Sequence, residues 1–335
     1  MPRVMGVRIR APGDVDVLEL TDIDVREPAA GELLVDVAAA GLNRADVLQR
    51  RGLYPAPPGI PPDVPGLEYA GTVAALGEGV TDWRTGDRVM GIVGGGAMAR
   101  QLVTSAREAL PVPDGMELRD AAAVPEAFLT AWDALVPQGE LREGEVVLLH
   151  SVGSGIGTAA LQLARGAGAT VVGTSRTPDK LARCRALGLE MGIHLPAADR
   201  EHPARFAATL QRLTGGRLAD VILDTVGAAY LEENVASLAR RGRLVIIGLL
   251  GGAMGHLPLG RLLGQRARVF GTVLRGRTPD EKAELAAGFR RDVLPRFAAG
   301  ELRPVVDVVL PMEQVREAHA RMDRNETFGK IVLAW

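Results

Sequence analysis

The chain has 335 residues, of which 47% are hydrophobic and 24% are charged, and its formal net charge is -2. This length exceeds what one ordinary hydrophobic core supports, so two domains are expected. Without a basic block, the composition argues against nucleic acid or an anionic membrane surface as the main partner, because both require clustered Lys and Arg.

Cys184 is the only cysteine. An intrachain disulfide and a zinc cluster built on several thiolates are therefore excluded, and we expect a reducing, cytoplasmic location. The longest uncharged stretch, residues 244–255, is Gly-rich and shorter than the roughly 20 residues of a membrane span. The first residues lack the apolar core of a signal peptide, so we expect neither targeting nor anchoring.

Residues 1–122 contain short strand patterns separated by Gly and Pro turns, among them "GELLVDVAAAG" and "YAGTVAALG". Such spacing predicts a β-rich, barrel-like unit. The segment 51–66 holds six prolines. It is predicted to be an ordered, exposed loop, because proline suits neither a helix interior nor a central strand.

Residues 123–274 alternate apolar strands with helical patterns, which predicts a parallel sheet covered on both faces. Six strands fit a doubly wound, Rossmann-type α/β domain. They are expected at 146–150, 170–175, 190–195, 220–225, 243–250 and 268–274. The remaining segment, 275–335, is too short for a core of its own, so we expect it to complete the first β-rich unit.

A glycine-rich stretch follows the first of these strands. Gly155, Ile156 and Gly157 begin a G-x-G-x-x-A pattern between a predicted strand and a predicted helix, with Ser154 just before it. Amide hydrogens at a helix start bind phosphate when the backbone can approach closely. We therefore predict that these four residues bind a dinucleotide diphosphate. The alternative is a glycine-rich packing turn.

The end of the second strand indicates which dinucleotide is preferred. The run from Thr174 to Lys180 has no acidic residue at the strand tip to accept a ribose 2'-hydroxyl. At the end of this strand, Thr174 is predicted to contact the cofactor. Arg176 and Lys180 supply positive charge and Thr177 a hydroxyl for a 2'-phosphate, so NADPH is the predicted cofactor. Alternatively, these are ordinary solvated residues at the start of a helix.

Several longer motifs follow one another along the chain: "AAAGLNRADVLQRRGLYPAPPG", "PGLEYAGTVAALGEGV", "AAAVPEAFLTAWDAL", "SGIGTAALQLA", "DVILDTVG", "GRLVIIGLLGG" and "FGKIVLAW". Together they resemble the zinc-free quinone oxidoreductase branch of the medium-chain dehydrogenase/reductase superfamily. The resemblance implies a Rossmann domain, at 123–274, inserted into a GroES-like β-rich domain made of 1–122 and 275–335. It also implies an NADPH-dependent oxidoreductase.

The resemblance makes two substitutions informative. Where alcohol dehydrogenases of this superfamily hold zinc through a Cys and a His, this chain has Asn43 and Leu67. The five histidines show no paired metal-ligand spacing. We therefore expect no metal site, and hydride chemistry carried by the cofactor.

Hydride transfer to a quinone or an enone leaves an oxyanion that needs hydrogen-bond donors. The candidate donors are Asn43 and Tyr54. Alternatively, Asn43 is an ordinary turn residue and Tyr54 is an aromatic residue that packs within its loop. The resemblance places Thr130 near the nicotinamide carboxamide, unless its hydroxyl bonds back to its own helix. It also implies that further residues line the cofactor: Gly248, Leu249, Leu250, Leu274, Arg275 and Lys330. The alternative for Gly248, Leu249 and Leu250 is a turn without a ligand, and the alternative for Lys330 is a solvated side chain.

The predicted function is NADPH-dependent reduction of a small hydrophobic quinone without zinc or flavin. Reduction of the carbon-carbon double bond of enones or enoyl thioesters is the neighbouring enzymatic alternative, and a nonenzymatic NADPH-binding protein is the third. The resemblance also implies a homodimer, formed where the strand at 268–274 pairs with its symmetry mate.

Overall fold

The computed structural model describes residues 2–196 and 204–335. The chain forms two compact units: unit 1 comprises Met1–Leu129 and Leu274–Trp335, and unit 2 comprises Thr130–Val273. The sequence placed the first boundary after residue 122, whereas the structure places it within a helix, after Leu129. A continuous helical pattern gives no local signal for such a boundary.

Among the described residues, the strands are β1 (Arg3–Ile9), β2 (Leu18–Asp24), β3 (Glu32–Leu42), β4 (Glu68–Leu76), β5 (Arg88–Ile92), β6 (Gln101–Ser105), β7 (Leu110–Pro111), β8 (Val146–Leu149), β9 (Thr170–Ser175), β10 (Met191–His194), β11 (Ala219–Asp224), β12 (Leu238–Ile246), β13 (Arg268–Gly271), β14 (Val306–Pro311) and β15 (Lys330–Ala334). The α-helices of the same part of the chain are α1 (Arg44–Arg50), α2 (Leu118–Ala121), α3 (Pro125–Leu135), α4 (Gly155–Gly166), α5 (Pro178–Cys184), α6 (Ala207–Leu213), α7 (Leu231–Ser237), α8 (Leu259–Gln265), α9 (Pro279–Asp292), α10 (Leu294–Ala298) and α11 (Val315–Arg324). None of the helices in these described ranges is both long enough and apolar enough to cross a membrane.

Unit 2 contains a sheet with the strand order β10-β9-β8-β11-β12-β13, and all its neighbours pair in parallel. This is the doubly wound order whose direction of growth reverses between β8 and β11, which is where such sheets bind ligands. The prediction of a Rossmann-type α/β fold is confirmed. The strand β8 is fully buried, as its unbroken apolar run indicated.

One strand of this sheet begins earlier than predicted. β12 begins at Leu238, which pairs with Ala219, and the register shifts before Arg243 pairs with Val221. Arg241 adopts a positive φ of 63° between these two pairs. The exposed residues at this irregularity interrupt the apolar pattern, so the sequence showed only the second half of the strand.

Unit 1 is organised around β3, which pairs antiparallel with β15, β4 and β6. The seven-stranded sheet has the order β14-β15-β3-β4-β5-β7, with β6 on β3. Because β15 carries Lys330 and β3 ends one residue before Asn43, this pairing brings two distant parts of the sequence together at one end of the sheet. The side chains of Leu33, Tyr69 and Ile331 are fully buried in its core.

Truncation of Leu148 tests how far unit 2 depends on β8. Leu148 is fully buried, and Leu148→Ala is expected to lower the free energy of unfolding by about 2–5 kcal/mol through lost burial and a residual cavity. Leu53→Ala, at a side chain that is 69% exposed, should change it by less than about 0.5 kcal/mol. Urea unfolding of both variants measures the difference, and equal stabilities would contradict the burial of this strand.

Candidate functional site

The glycine-rich stretch of unit 2 forms the start of α4. Ser154 caps the helix, because its side-chain Oγ accepts a hydrogen bond of 3.0 Å from the Gly157 amide. A Cβ at Gly157 would overlap the backbone of Ser151 and Val152, so this glycine is required for the close packing of α4 on the end of β8. The amides of Gly155 and Ile156 have no intrahelical acceptor, and among the described residues no other acceptor bonds them. They are therefore free to meet an anion.

Val152 precedes this helix at a position where the resembling branch has a smaller residue. Its side chain is fully buried and lies against Gly173 of β9, where a Cβ would overlap it. The larger residue at 152 is thus accommodated by a glycine on the neighbouring strand. Val152 packs into the sheet, and the start of α4 keeps its exposed amides.

A buried hydrogen-bonded chain lies behind the predicted cofactor residues of β9. His150 Nδ1 is 2.9 Å from Thr174 Oγ1, and His150 Nε2 is 2.6 Å from Asn234 Oδ1. Asn234 donates its Nδ2 to Asp224 at 3.0 Å, which leaves its oxygen for His150. His150 must therefore donate from Nε2 and accept from the Thr174 hydroxyl. Burial lowers the pKa of His150, which agrees with a neutral imidazole in this chain.

The hydrogen bond to His150 limits what the Thr174 side chain can offer a cofactor. Thr174 is 2% exposed and its hydroxyl hydrogen is used by His150. The Thr174 hydroxyl therefore cannot donate a hydrogen bond to the cofactor, and the prediction is corrected on this point. The exposed group at the strand tip is Arg176, whose carbonyl oxygen also accepts from His194 at 3.1 Å. Thr177, exposed beside it, precedes α5, and Lys180 lies in the first turn of that helix.

Two further parts of unit 2 were predicted to line the cofactor. The Thr130 Oγ1 atom is buried and has no hydrogen-bond partner within residues 2–196 and 204–335, so the alternative that it bonds back to its own helix is wrong. A buried hydroxyl without a partner is costly unless a ligand supplies one. The turn that contains Gly248 follows β12, and Leu249 and Leu250 are 55% and 56% exposed there. Their contact with a cofactor stays a prediction.

The polar centre of unit 1 is an ion pair between Lys330 and Glu68. Lys330 is 4% exposed and Glu68 is fully buried, and the Nζ and Oε1 atoms are 2.5 Å apart. Lys330 also donates to Asn43 Oδ1 at 2.6 Å and to the Leu42 carbonyl at 2.9 Å. Its three N–H donors therefore have three acceptors. The prediction that Lys330 reaches a cofactor phosphate is corrected, because the ammonium group is already fully bonded.

Asn43 is held by the same pair. Its Nδ2 donates to Glu68 Oε1 at 3.0 Å and to the Gly41 carbonyl at 3.3 Å. Its oxygen faces Lys330, which can only donate. A Cβ at Gly41 would overlap Glu68 Oε1, so this glycine makes room for the buried carboxylate. The prediction that Asn43 donates to the substrate oxygen is corrected, since both of its N–H groups are used within the cluster.

Asp46 completes the cluster from α1. Its Oδ2 accepts from the Asn43 amide at 2.8 Å and its Oδ1 from the Gly66 amide at 2.9 Å. Burial raises the pKa of Asp46 to about 6, although these amides and Lys330 oppose the shift. Asp46 therefore fixes the segment between β3 and α1 against the loop that leads into β4.

Tyr54 is positioned by Arg275. The Arg275 guanidinium lies 4.7 Å from the centre of the Tyr54 ring and donates to the Tyr54 carbonyl at 3.1 Å. It also donates to the Gly94 carbonyl and to Gln49 Oε1, both at 2.8 Å. Arg275 and Leu274 are 8% and 5% exposed. Arg275 orders the Pro-rich loop, and Leu274 is packed in unit 1, while their contact with a cofactor stays a prediction.

Burial raises the pKa of Tyr54, and the nearby Glu126 adds to this effect. The phenol therefore keeps its proton at neutral pH. No described residue hydrogen-bonds the Tyr54 hydroxyl, so Tyr54 keeps its predicted place as a donor. Sequence reasoning missed Glu126, which lies in the quoted stretch "AAAVPEAFLTAWDAL". A carboxylic acid in an otherwise apolar helix start was the available signal.

Among the described residues, neither unit offers a suitable donor set for zinc. Leu67 is apolar and 2% exposed, and Asn43 is bonded to a carboxylate and an ammonium. Within residues 2–196 and 204–335, no three His, Cys, Asp or Glu side chains are placed to hold a metal ion. The residues at the positions that bind zinc in related alcohol dehydrogenases therefore do not fit the ion.

Comparison with known protein families agrees with this architecture. The "Alcohol dehydrogenase GroES-like domain" model matches residues 29–114, and the "Zinc-binding dehydrogenase" model matches residues 155–289. A quinone oxidoreductase of Pseudomonas aeruginosa is 32% identical over 329 residues, which cover 98% of each chain. The chain belongs to the medium-chain dehydrogenase/reductase superfamily and has its NAD(P)-binding fold.

The relatives differ in size and in the reaction that they are named for. The phthioceranic/hydroxyphthioceranic acid synthase of Mycobacterium tuberculosis is 35% identical over 333 residues, and the chain spans 15% of its length. The solved CurK enoyl reductase is 27% identical, with a TM-score of 0.86 and 99% of each chain covered. Mycobacterial Rv1454c, solved with NADPH, is 27% identical, with a TM-score of 0.88 over 99% of this chain and 100% of that one.

Removal of the Lys330 charge tests the ion pair. Lys330→Met leaves the buried Glu68 carboxylate without its cation and is expected to lower the free energy of unfolding by about 3–5 kcal/mol. The double variant with Glu68→Gln should recover part of the loss, because the uncompensated charge is gone. Lys282→Met, at the partly buried lysine of α9, is the control and should cost less than about 1 kcal/mol. Urea unfolding reports all three, and a Lys330→Met protein as stable as the control would refute the pairing.

Proposed function

We propose that this chain is an NADPH-dependent quinone oxidoreductase, which transfers hydride from the nicotinamide to a quinone without zinc or flavin. The observation that carries the proposal is the internal bonding of Lys330, Glu68 and Asn43. These residues form a closed ion-pair cluster near a position where related alcohol dehydrogenases bind zinc. An acceptor that needs no Lewis acid, such as a quinone, suits a site of this chemistry.

Unit 2 carries the groups that would hold the cofactor. The amides of Gly155 and Ile156, with the Ser154 hydroxyl, would meet the diphosphate. The unpartnered Thr130 hydroxyl would bond the nicotinamide carboxamide. Arg176, Thr177 and Lys180 would face the 2'-phosphate. The bound dihydronicotinamide would supply the hydride, while the protein orients it and excludes water.

Unit 1 would supply donors to the substrate. The Tyr54 hydroxyl is protonated and lacks a partner among the described residues, so it can donate to an oxygen that becomes negative as hydride arrives. Arg275 is a positioning residue, because it holds the Tyr54 ring and the Tyr54 carbonyl at once. A rigid donor loses little entropy when it meets the substrate.

Reduction of the carbon-carbon double bond of an enone or an enoyl thioester is the second candidate. The structural likeness to the CurK enoyl reductase favours it. The reaction uses the same hydride and also produces an enolate oxygen that needs a donor. It therefore makes the same demand on Tyr54.

A homodimer through the edge of unit 2 is part of the proposal. Strand β13 lies at one end of its sheet and, in the described part of the chain, pairs only with β12, which leaves an unpaired edge. Exposed apolar side chains accompany this region, with Val273 57%, Leu259 67% and Leu263 81% exposed. Two-fold pairing of β13 with a second copy would bury that edge.

A substrate panel tests the proposed function. Purified protein with NADPH or NADH is mixed with ortho-quinones, para-quinones, enones and an enoyl thioester, and loss of the reduced nicotinamide absorbance is followed. We expect NADPH to be oxidised fastest with a quinone. Turnover confined to the enoyl thioester would replace the proposal by the second candidate. Tight NADPH binding without turnover of any acceptor would indicate a nonenzymatic NADPH-binding protein.

Replacement of the two basic residues at the tip of β9 tests the cofactor preference. Arg176→Ala with Lys180→Ala is expected to raise the Kd of NADPH about tenfold or more, about 1.4 kcal/mol, and to leave the Kd of NADH nearly unchanged. The control is Arg183→Ala with Arg185→Ala, which removes the same number of positive charges at the far end of α5. Titration of nicotinamide fluorescence measures both constants. An equal effect on the two cofactors would remove these residues from the 2'-phosphate site.

A further inference from the structure

Glu126 is held at the polar centre of unit 1 by its backbone rather than by its side chain. It is the second residue of α3, and its amide donates to Glu68 Oε2 at 2.8 Å. The other oxygen of Glu68 is bonded to Lys330 and Asn43. The start of α3 is thus tied to the buried ion pair, which fixes where the Glu126 side chain begins.

The Glu126 carboxyl itself is left without a partner. The residue is partly buried, and among the described residues no group hydrogen-bonds its carboxyl oxygens. Every other acidic side chain of this centre has a defined bond: Glu68 binds Lys330 and Asn43, and Asp46 accepts two amides. A carboxyl that is mostly removed from water but unbonded is available to a bound molecule.

The surrounding charges favour the protonated form of this carboxyl. Burial, followed by the negative charges of Glu68 and Asp46, raises the pKa of Glu126 to about 8, while Lys330 and Arg275 oppose the shift. The helix start would favour an anion, but its Glu126 amide is bonded to the Glu68 carboxylate. Glu126 therefore holds a proton at neutral pH.

Tyr54 is tied to the same polar centre. Arg275 donates to the Tyr54 carbonyl and to Gln49 of α1, the helix that also carries Asp46. The pKa of Tyr54 is raised by burial and then by the charge of Glu126. Both are protonated at neutral pH and neither has a hydrogen-bond partner in the described part of the chain. Two neighbouring acids with different pKa values can divide two tasks: one holds the substrate oxygen by a hydrogen bond and the other gives up its proton.

We infer that Glu126 is a catalytic residue, the general acid that protonates the substrate oxygen after hydride arrives, while Tyr54 holds that oxygen. The inference rests on the proposed function. The quinone takes up a hydride with its two electrons from a dihydronicotinamide dinucleotide, and one of its oxygens becomes an oxyanion. The O–H bond of Glu126 breaks, a new O–H bond forms on that oxygen, and the product is the hydroquinone. The Glu126 carboxylate then regains its proton from water.

Glu126→Gln tests this role, since it keeps the size of the side chain but has no acidic proton. With NADPH and a para-quinone saturating, wild-type kcat is expected to be level below pH 7 and to fall about tenfold per pH unit above pH 8, as the acid loses its proton. In Glu126→Gln, kcat should be lower by about 10²-fold at neutral pH, and the fall near pH 8 should be absent. Glu126→Asp should restore part of the rate and the fall.

Two controls separate a catalytic role from a structural one. Glu117→Gln makes the same chemical change at a nearby exposed residue whose side chain forms no cap hydrogen bond, and it should keep the wild-type profile. Tyr54→Phe should be slower but keep the fall near pH 8, because Glu126 remains. All variants should bind NADPH with the wild-type Kd. An infrared difference spectrum between pH 7 and pH 10 should show loss of a protonated carboxylic acid in the wild type but not in Glu126→Gln.

The outcomes distinguish this inference from the proposed function. If the wild type reduces quinones while Glu126→Gln keeps its kcat and its pH profile, the inference is overturned and the proposed function stands. If the wild type binds NADPH but reduces no quinone and no enone, both are overturned. If the infrared difference band is equal in the wild type and in Glu126→Gln, the protonated acid lies elsewhere and the inference fails.

Discussion

The buried pair of Lys330 and Glu68 is the interaction on which the site in unit 1 depends. A charge removed from water is tolerated only where opposite charge and hydrogen bonds replace its hydration. Lys330 satisfies this condition with three acceptors, and one of them, Asn43, is fixed in turn by Glu68. Because the other oxygen of Glu68 accepts the amide at the start of α3, the pair orients the helix that carries Glu126.

In unit 2, close packing and buried hydrogen bonds likewise position the start of α4. The start of α4 can approach an anion because Gly157 packs closely on the end of β8 and Val152 turns into the space left by Gly173. Behind this surface, His150 and Asn234 link β9 to Asp224 at the end of β11. A fully bonded polar chain in the interior is rigid, so the strand ends that surround the glycine-rich stretch are held in one arrangement.

Local features of the fold could be predicted from the sequence. The six strands of unit 2 are short apolar runs between helical patterns, and the glycine pattern lies at the junction of β8 and α4. The side-chain roles in unit 1 could not be predicted, since they arise from contacts remote in sequence. Lys330 and Asn43 are 287 positions apart, and Arg275 and Gln49 are 226 apart. No local pattern shows that a lysine near the end of the chain meets the residue after β3.

The same limit explains why Glu126 was missed while Tyr54 was not. Tyr54 stands out as an aromatic residue in a Pro-rich loop, whereas Glu126 gains its unusual environment only when β4 brings Glu68 against its amide.

The central claim is that an internal ion pair, rather than a metal ion, organises this site. The most direct measurement is the zinc content of active protein purified from zinc-supplemented medium, by inductively coupled plasma mass spectrometry, with turnover before and after chelation. We expect zinc far below one ion per chain and unchanged turnover. One zinc ion per chain, with activity lost on its removal, would contradict the claim.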